Sequence, residues 1–215
     1  MPSATFYHQR FDLVHHPVKE TIAMLTGLLE KITKTNDRIQ RSHPPSSLTC
    51  FHARAIPSID IGAYLLRILK YCPCANECFL SLLVYFDRMA RNVTQLRLDS
   101  WNVHRLLIAG IMVSSKFFSD VYYTNTRYAK VGGLPVKELN ALELEFLRMN
   151  DFILNIQVEE LQRYGDQLLL HHQRELFLRH LDDHKPATLD THDRFSSHDL
   201  HPRLRLPTPP LVDDH

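Results

Sequence analysis

Three groups of residues in this 215-residue chain have types and spacings that could do chemistry. Lys116 follows a long apolar run, and Glu143 sits on the next amphipathic segment. A lysine and a carboxylate edged by apolar surface hold each other's orientation and still offer hydrogen bonds to a partner's backbone. The same pair could instead be an internal salt bridge that ties two helices, and spacing alone leaves both readings open. The second group is Cys72-x-Cys74-x3-Cys78, with Cys50 and His52 upstream. These residues could be assembled into a zinc site, but the spacing is not the Cys-x2-Cys knuckle of tetrahedral sites. Cys78 also lies on an apolar helix face, where a thiol acts as a small hydrophobe, so no metal is expected. The third group is the 14 histidines, His15-His16 and His171-His172 among them. They lack His-Glu-x-x-His spacing, scatter mainly into the tails and read as solvated side chains.

Catalysis finds little support. The chain has no phosphate-cradling glycine loop, no Gly-x-Ser-x-Gly elbow and no paired carboxylates beside a plausible pocket. Gly132-Gly133 precedes a helix but has no Lys-Ser/Thr after it. Neither enzyme activity nor a cofactor is therefore expected. Lys plus Arg (25) and Asp plus Glu (24) nearly cancel, which removes the basic excess of a phosphate-backbone binder and makes nucleic acid an unexpected partner. No run of about 18 apolar residues predicts a spanning helix, and the opening MPSATFYHQRFDLVHH does not read as a signal peptide. An intracellular protein with reduced thiols and no membrane partner is the expectation.

The elements that must position Lys116 and Glu143 are helices. Only 6 glycines occur, and no strand pattern survives. Val18, Ile22, Leu25, Leu28, Leu29 and Ile32 recur at three- and four-residue steps, predicting an amphipathic helix from Pro17 to about Ile39. A Pro- and Ser-rich loop, 41–54, follows, and a separate unit is expected after it. Ser58 is a candidate N-cap for a helix ending near Tyr71, which Cys72-Pro73 breaks. Helices are predicted next over 75–91 and 100–118, the latter the most buried because Leu106 to Val113 is apolar except at Gly110. Gly132-Gly133 closes an irregular loop, and Pro135 suits the first turn of a helix through Leu147. A last helix covers 157–172, and after about Leu181 the composition predicts disorder. The organisation expected is an N-terminal arm (1–16), an N-terminal helix and linker (17–54), a helical box (55–172) and a disordered tail (173–215). Thr208-Pro209 in that tail has the form of a proline-directed phosphorylation site.

Three stretches make this arrangement recognisable: SIDIGAYLLRILKYCPCANECFLSLLVYFDRM (58–89), NVHRLLIAGIMVSSKFFSD (102–120) and YYTNTRYAKVGGLPVKELNALELEFL (122–147). Together they resemble the cyclins, and the YAKVGG block followed by ELN and LE resembles the P-type or U-type branch, which is related to the fungal phosphate-pathway cyclin. The resemblance spans roughly Ile22 to Leu169. It implies an all-α fold, a single five-helix cyclin box with an extra N-terminal helix. The implied function is that of a regulatory subunit which binds and activates a cyclin-dependent protein kinase as a heterodimer, in cell-cycle or phosphate control.

The resemblance also implies roles for single residues. Lys116 and Glu143 match the pair with which cyclins grip the kinase. Phe117, Leu147, Phe152 and Leu154 match apolar positions that pack on its PSTAIRE-type helix. Asp87 matches a structural aspartate that ties helices together. The arginine that many cyclins carry at the start of the first box helix has no counterpart, because Arg67 lies late in that helix. Fold alone does not fix function, so a cyclin-fold transcription-type module that binds nucleic acid or other proteins is the alternative.

Overall fold

The computed structural model describes residues 10–42, 48–92 and 96–183. They form seven helices: α1 (Val18–Ser42), α2 (Ile61–Tyr71), α3 (Asn76–Asn92), α4 (Val103–Phe118), α5 (Asn125–Gly132), α6 (Val136–Met149) and α7 (Val158–Asp183). No strand occurs among the described residues. No described helix is long and apolar enough to cross a membrane.

α4 lies at the centre and touches α2, α3, α5 and α6. Its residues from Val103 to Ser115 are buried except Arg105, as an apolar run without a polar face requires. Gly110 permits the approach: a Cβ there would meet Leu82 Cδ2 at 2.5 Å and the Phe146 ring at 3.1 Å. α3 and α6 thus close on α4 at one small residue.

The structure corrects several expectations. The segment before Gly132-Gly133 is not an irregular loop but α5. Thr124 caps it by accepting the Arg127 N–H, Tyr128, Ala129 and Val131 are buried, and Gly133 ends it at φ 70°. That left-handed ending suits glycine; eight residues are simply too few for a periodicity to stand out. α2 is capped by Asp60, not Ser58, because the Asp60 carboxylate takes the Ala63 N–H at 2.6 Å. Pro135 is the residue before the first turn of α6 rather than within it.

α1 does not precede a separate unit. It packs on α2, α3 and α7, with Ile22, Leu25 and Leu29 in the common core. Polar ties reinforce it: Thr21 Oγ1 donates to Asn76 Oδ1 at 2.7 Å, and Asn36 Nδ2 to the Leu98 carbonyl at 2.8 Å. α7 runs to Asp183, not 172, and Lys31 Nζ meets Glu175 Oε1 at 2.6 Å on the added turns. Of the residues expected to be disordered after Leu181, Asp182 and Asp183 end α7, and the rest, with Thr208, lie outside the described residues.

Histidines His52 and His104 are not solvated. His52 accepts the Thr49 N–H at Nδ1 and turns Nε2 to Asp99 Oδ2 at 3.4 Å, the two side chains keeping 10% and 4% of their exposure. His104 Nε2 faces the Ile59 carbonyl at 2.9 Å. Cys72 and Cys78 are buried and Cys74 half-buried. The hydrogen bond with Cys78 and then burial push the Cys74 thiol far up, so it stays a protonated packing group.

Candidate functional site: a lysine–glutamate pair beside a clamped apolar ledge

Lys116 stands in the last turn of α4, where the buried run ends and the helix reaches the surface. Its Nζ donates to Glu143 Oε1 at 2.6 Å. The two side chains keep 28% and 19% of their exposure, so both are partly desolvated and both remain reachable. Glu143 Oε2 accepts from Asn125 Nδ2 at 2.9 Å, and the same amide reaches Asn140 Oδ1 at 2.8 Å. Both glutamate oxygens are occupied, whereas one lysine proton of three is used by this carboxylate. The pair is pre-oriented and still has donors to offer.

Phe117 is 46% exposed beside the pair. Leu147 lies one turn beyond Glu143 on α6 and is half-buried against the core, as is Leu154. Between them Phe152 and Ile153 are 61% and 58% exposed. Phe117 is on the helix that carries Lys116, and Phe152 and Ile153 follow the helix that carries Glu143; apolar side chains of this kind mark an interface where a partner covers them.

The segment carrying Phe152 is held in an unusual conformation. Asp151 and Phe152 have φ of 52° and 58°, a left-handed state that costs an L-residue about 1 to 2 kcal/mol. Tertiary bonds from α3 hold it. Tyr85 Oη donates to the Leu154 carbonyl at 2.8 Å, and Arg88 Nη1 to the carbonyls of Ile153 and Asn155 at 3.0 and 3.2 Å. Asn92 Nδ2 donates to the Met149 carbonyl and to Asp151 Oδ2, at 3.1 and 2.7 Å. Burial pushes the Tyr85 phenol well up, which keeps it a donor. Arg88 also meets Glu160 Oε2 on α7 at 3.0 Å. Strain maintained by surrounding contacts is a feature of functional sites.

Asp87 lies apart from this ledge in role. Its Oδ2 accepts from Tyr164 Oη of α7 at 2.7 Å, and its other oxygen is buried without a partner among the described residues. Burial pushes its carboxyl up. The tie from Asp87 therefore runs to a tyrosine, while Arg67 approaches the Lys130 carbonyl at 3.5 Å. Sequence reasoning missed Ile153, Asn125 and the clamp of Tyr85, Arg88 and Asn92. The last three recur at steps of three and four on α3, a polar stripe on an otherwise apolar helix that was available to be read.

A cyclin family model matches residues 19–154. The chain is 48% identical over 173 residues to the PHO85 cyclin-like protein psl1 of Schizosaccharomyces pombe, covering 75% of this chain and 71% of that protein. It is 42% identical over 178 residues to PHO85 cyclin-7 of Saccharomyces cerevisiae, covering 73% and 62%. It is 41% identical over 162 residues to Cyclin-U4-1 of Arabidopsis thaliana, covering 75% and 78%. With a helical box centred on α4 and relatives of this kind in fungi and plants, the chain belongs to the cyclin family, on the branch that holds the PHO85 cyclins and the plant U-type cyclins.

Proposed function

We propose that this cyclin binds and activates a Pho85-type cyclin-dependent kinase through the surface around Lys116 and Glu143, and that it contributes no catalytic atom itself. The observation that carries the reading is the pre-oriented Lys116–Glu143 pair, together with Phe152 held exposed by the α3 clamp on the turn that follows α6. In this mechanism Lys116 donates to backbone carbonyls of the kinase's regulatory helix. Phe117, Leu147, Phe152 and Leu154 supply the apolar bed on which that helix rests. The helix is held inward, so the kinase's own Lys–Glu pair and metal-binding aspartate align. A ligand shifts a conformational equilibrium only by its differential affinity for the two states. Activation on this reading equals the preference of the ledge for the inward helix. The activating unit is the helical body of residues 17–172, with Asp87 as an internal tie.

A PHO85 cyclin and a PHO85 cyclin-like protein among the relatives support a Pho85-type partner. The near balance of 25 basic and 24 acidic residues weighs against a nucleic-acid module. Co-expression with a Pho85-type kinase, followed by affinity capture and phosphate-transfer assay, tests the reading. A stoichiometric complex with activity above that of the free kinase is expected. Failure to capture the kinase, or capture without activation, overturns it.

A further inference from the structure

Phe11 is buried on one face of α7, and that face continues past it. The Phe11 N–H donates to Asp166 Oδ1 at 2.7 Å, and its carbonyl accepts from Gln162 Nε2 at 2.8 Å. The carbonyl faces the earlier helix residue and the N–H the later one, so the chain at Phe11 runs antiparallel to α7. Followed back from Phe11, it heads for the C-terminal turns of that helix. Steps of three and four from Asp166 reach Leu169, Gln173, Leu176 and Phe177, which therefore share the face. Leu169 is 9% exposed, Leu176 42% and Phe177 46%. The stripe thus leaves the core and ends in exposed apolar side chains. Helix α1 reaches these turns from another side: Glu175, which Lys31 ties to α1, lies nine residues from Asp166 and so about half a turn round the helix.

A segment suited to cover them is already attached. Residues 1–9, MPSATFYHQ, precede Arg10 and lie outside the described residues. Phe6 and Tyr7 stand five and four residues before Phe11. Extended chain advances about 3.3 Å per residue, which puts the two aromatics about 13 to 17 Å back from Phe11. Leu176 and Phe177 are ten and eleven residues beyond Asp166, about 15 to 17 Å at 1.5 Å per residue. The two spans agree. The segment carries no Asp, Glu, Lys or Arg, so laying it on an apolar stripe desolvates no charged side chain. A tethered aromatic also meets the stripe at an effective concentration on the order of millimolar, an advantage that a separate chain lacks.

We propose that residues 1–9 form a strap that continues antiparallel along α7 and seats Phe6 and Tyr7 on Leu176 and Phe177. The occupant of this face is the chain's own N-terminal segment. Phe11 fixes the direction and register of the strap, and the aromatic pair closes its far end. The strap holds the last turns of α7 in place, and it closes the stripe within one molecule instead of offering it to a second copy.

The test uses the full chain. Photoreactive benzoylphenylalanine in place of Tyr7 is irradiated and the protein digested with trypsin, which cuts after Arg174 and Arg179. A crosslink to the fragment 175–179, on protein of monomer mass, is expected. A crosslink found only at dimer mass gives the stripe to a second copy and overturns the proposal, as does a crosslink to another region or none at all. Amide hydrogen exchange supplies the second readout. Phe6→Ser/Tyr7→Ser should raise exchange over 173–181 by about tenfold, with exchange in α4 unchanged. The conservative Phe6→Tyr/Tyr7→Phe should keep the native rates. Native exchange in the serine variant, or an equal rise in both variants, removes the strap. No kinase enters either measurement, so the outcome is independent of the activation reading.

Discussion

Two connecting segments expose apolar side chains to similar extents and are held very differently. In the α4–α5 connection Val121 and Tyr122 are exposed, and the bonds nearest them are local, between Ser119 Oγ and the Val121 backbone. In the α6–α7 connection Phe152 and Ile153 are equally exposed, but donors from Tyr85, Arg88 and Asn92, distant in sequence, fix the backbone under them. Exposure alone does not distinguish the two. Pre-organisation does, because a side chain already fixed in its bound geometry pays less entropy on docking. The clamped segment is the expected anchor and the other an accessory.

The sharpest way to break this comparison is at the ion pair beside both segments. Lys116→Ala or Glu143→Ala should cost kinase binding about 2 to 5 kcal/mol, through the unpaired group left in a desolvated interface. That is roughly a 30- to 4,000-fold loss at 1.4 kcal/mol per decade. In the free cyclin water reaches the pair, which is then worth about 0 to 1 kcal/mol. Calorimetric binding and thermal melting on the same variants separate the roles. Melting lowered by several degrees with binding intact would make the pair an internal brace.

Next in size is the direct contrast of the two segments. Phe152→Ala should weaken kinase binding by about 2 kcal/mol, as for a central aromatic anchor, and Tyr122→Ala by under about 0.5 kcal/mol, as for a rim residue. Equal losses would show that the clamp confers nothing.

Arg88→Ala addresses the clamp itself. Removing a charged donor to two carbonyls should destabilise the cyclin by about 1 to 3 kcal/mol. Amide hydrogen exchange at Phe152 and Ile153 should rise while that at Val121 stays the same. If exchange at Phe152 does not change, the left-handed geometry holds itself and the clamp is incidental.

The smallest effect is a pH dependence that leaves both segments intact. Burial holds His104 below its ordinary value of 6.5, so the folded state binds fewer protons there than the unfolded chain. Its contribution is fully present above about pH 6.5 and is lost as pH falls toward the lowered value. Melting temperature should decline over that window in the native protein and decline less in His104→Gln. Asp87, held above its ordinary value of 3.8 by burial, acts with the opposite sign at more acid pH. An identical slope in the two proteins would remove His104 from the account.

Helices α1, α3, α4 and α6 were legible in the sequence because each carries enough apolar residues at helical spacing to declare itself. α5 was not, since its order comes from Thr124, Gly133 and burial of Tyr128 rather than from a repeat. The continuation of α7 past 172 was hidden for another reason. Its added turns are largely exposed and polar, and the tie from Lys31 to Glu175 spans 144 residues, which no local window sees. At the candidate site, Lys116, Phe117, Glu143 and Phe152 were reachable through the resemblance. The backbone conformation of Asp151 and Phe152 was not, because it is imposed by side chains on α3.

Phe11 is fully buried against α7. Its N–H donates to Asp166 Oδ1 at 2.7 Å, and Gln162 Nε2 donates to its carbonyl at 2.8 Å. A Cβ on Gly165 would stand 2.9 Å from the Phe11 ring, so the absence of a side chain there makes the seat. In terms of biosynthesis, this seat is completed only when the chain has been made as far as Asp166. Phe11 waits until 155 further residues have been added for its binding surface, and a contact over that separation is among the slowest kinds to form. Until α7 has been made, the face of α1 that packs on it lacks its cover.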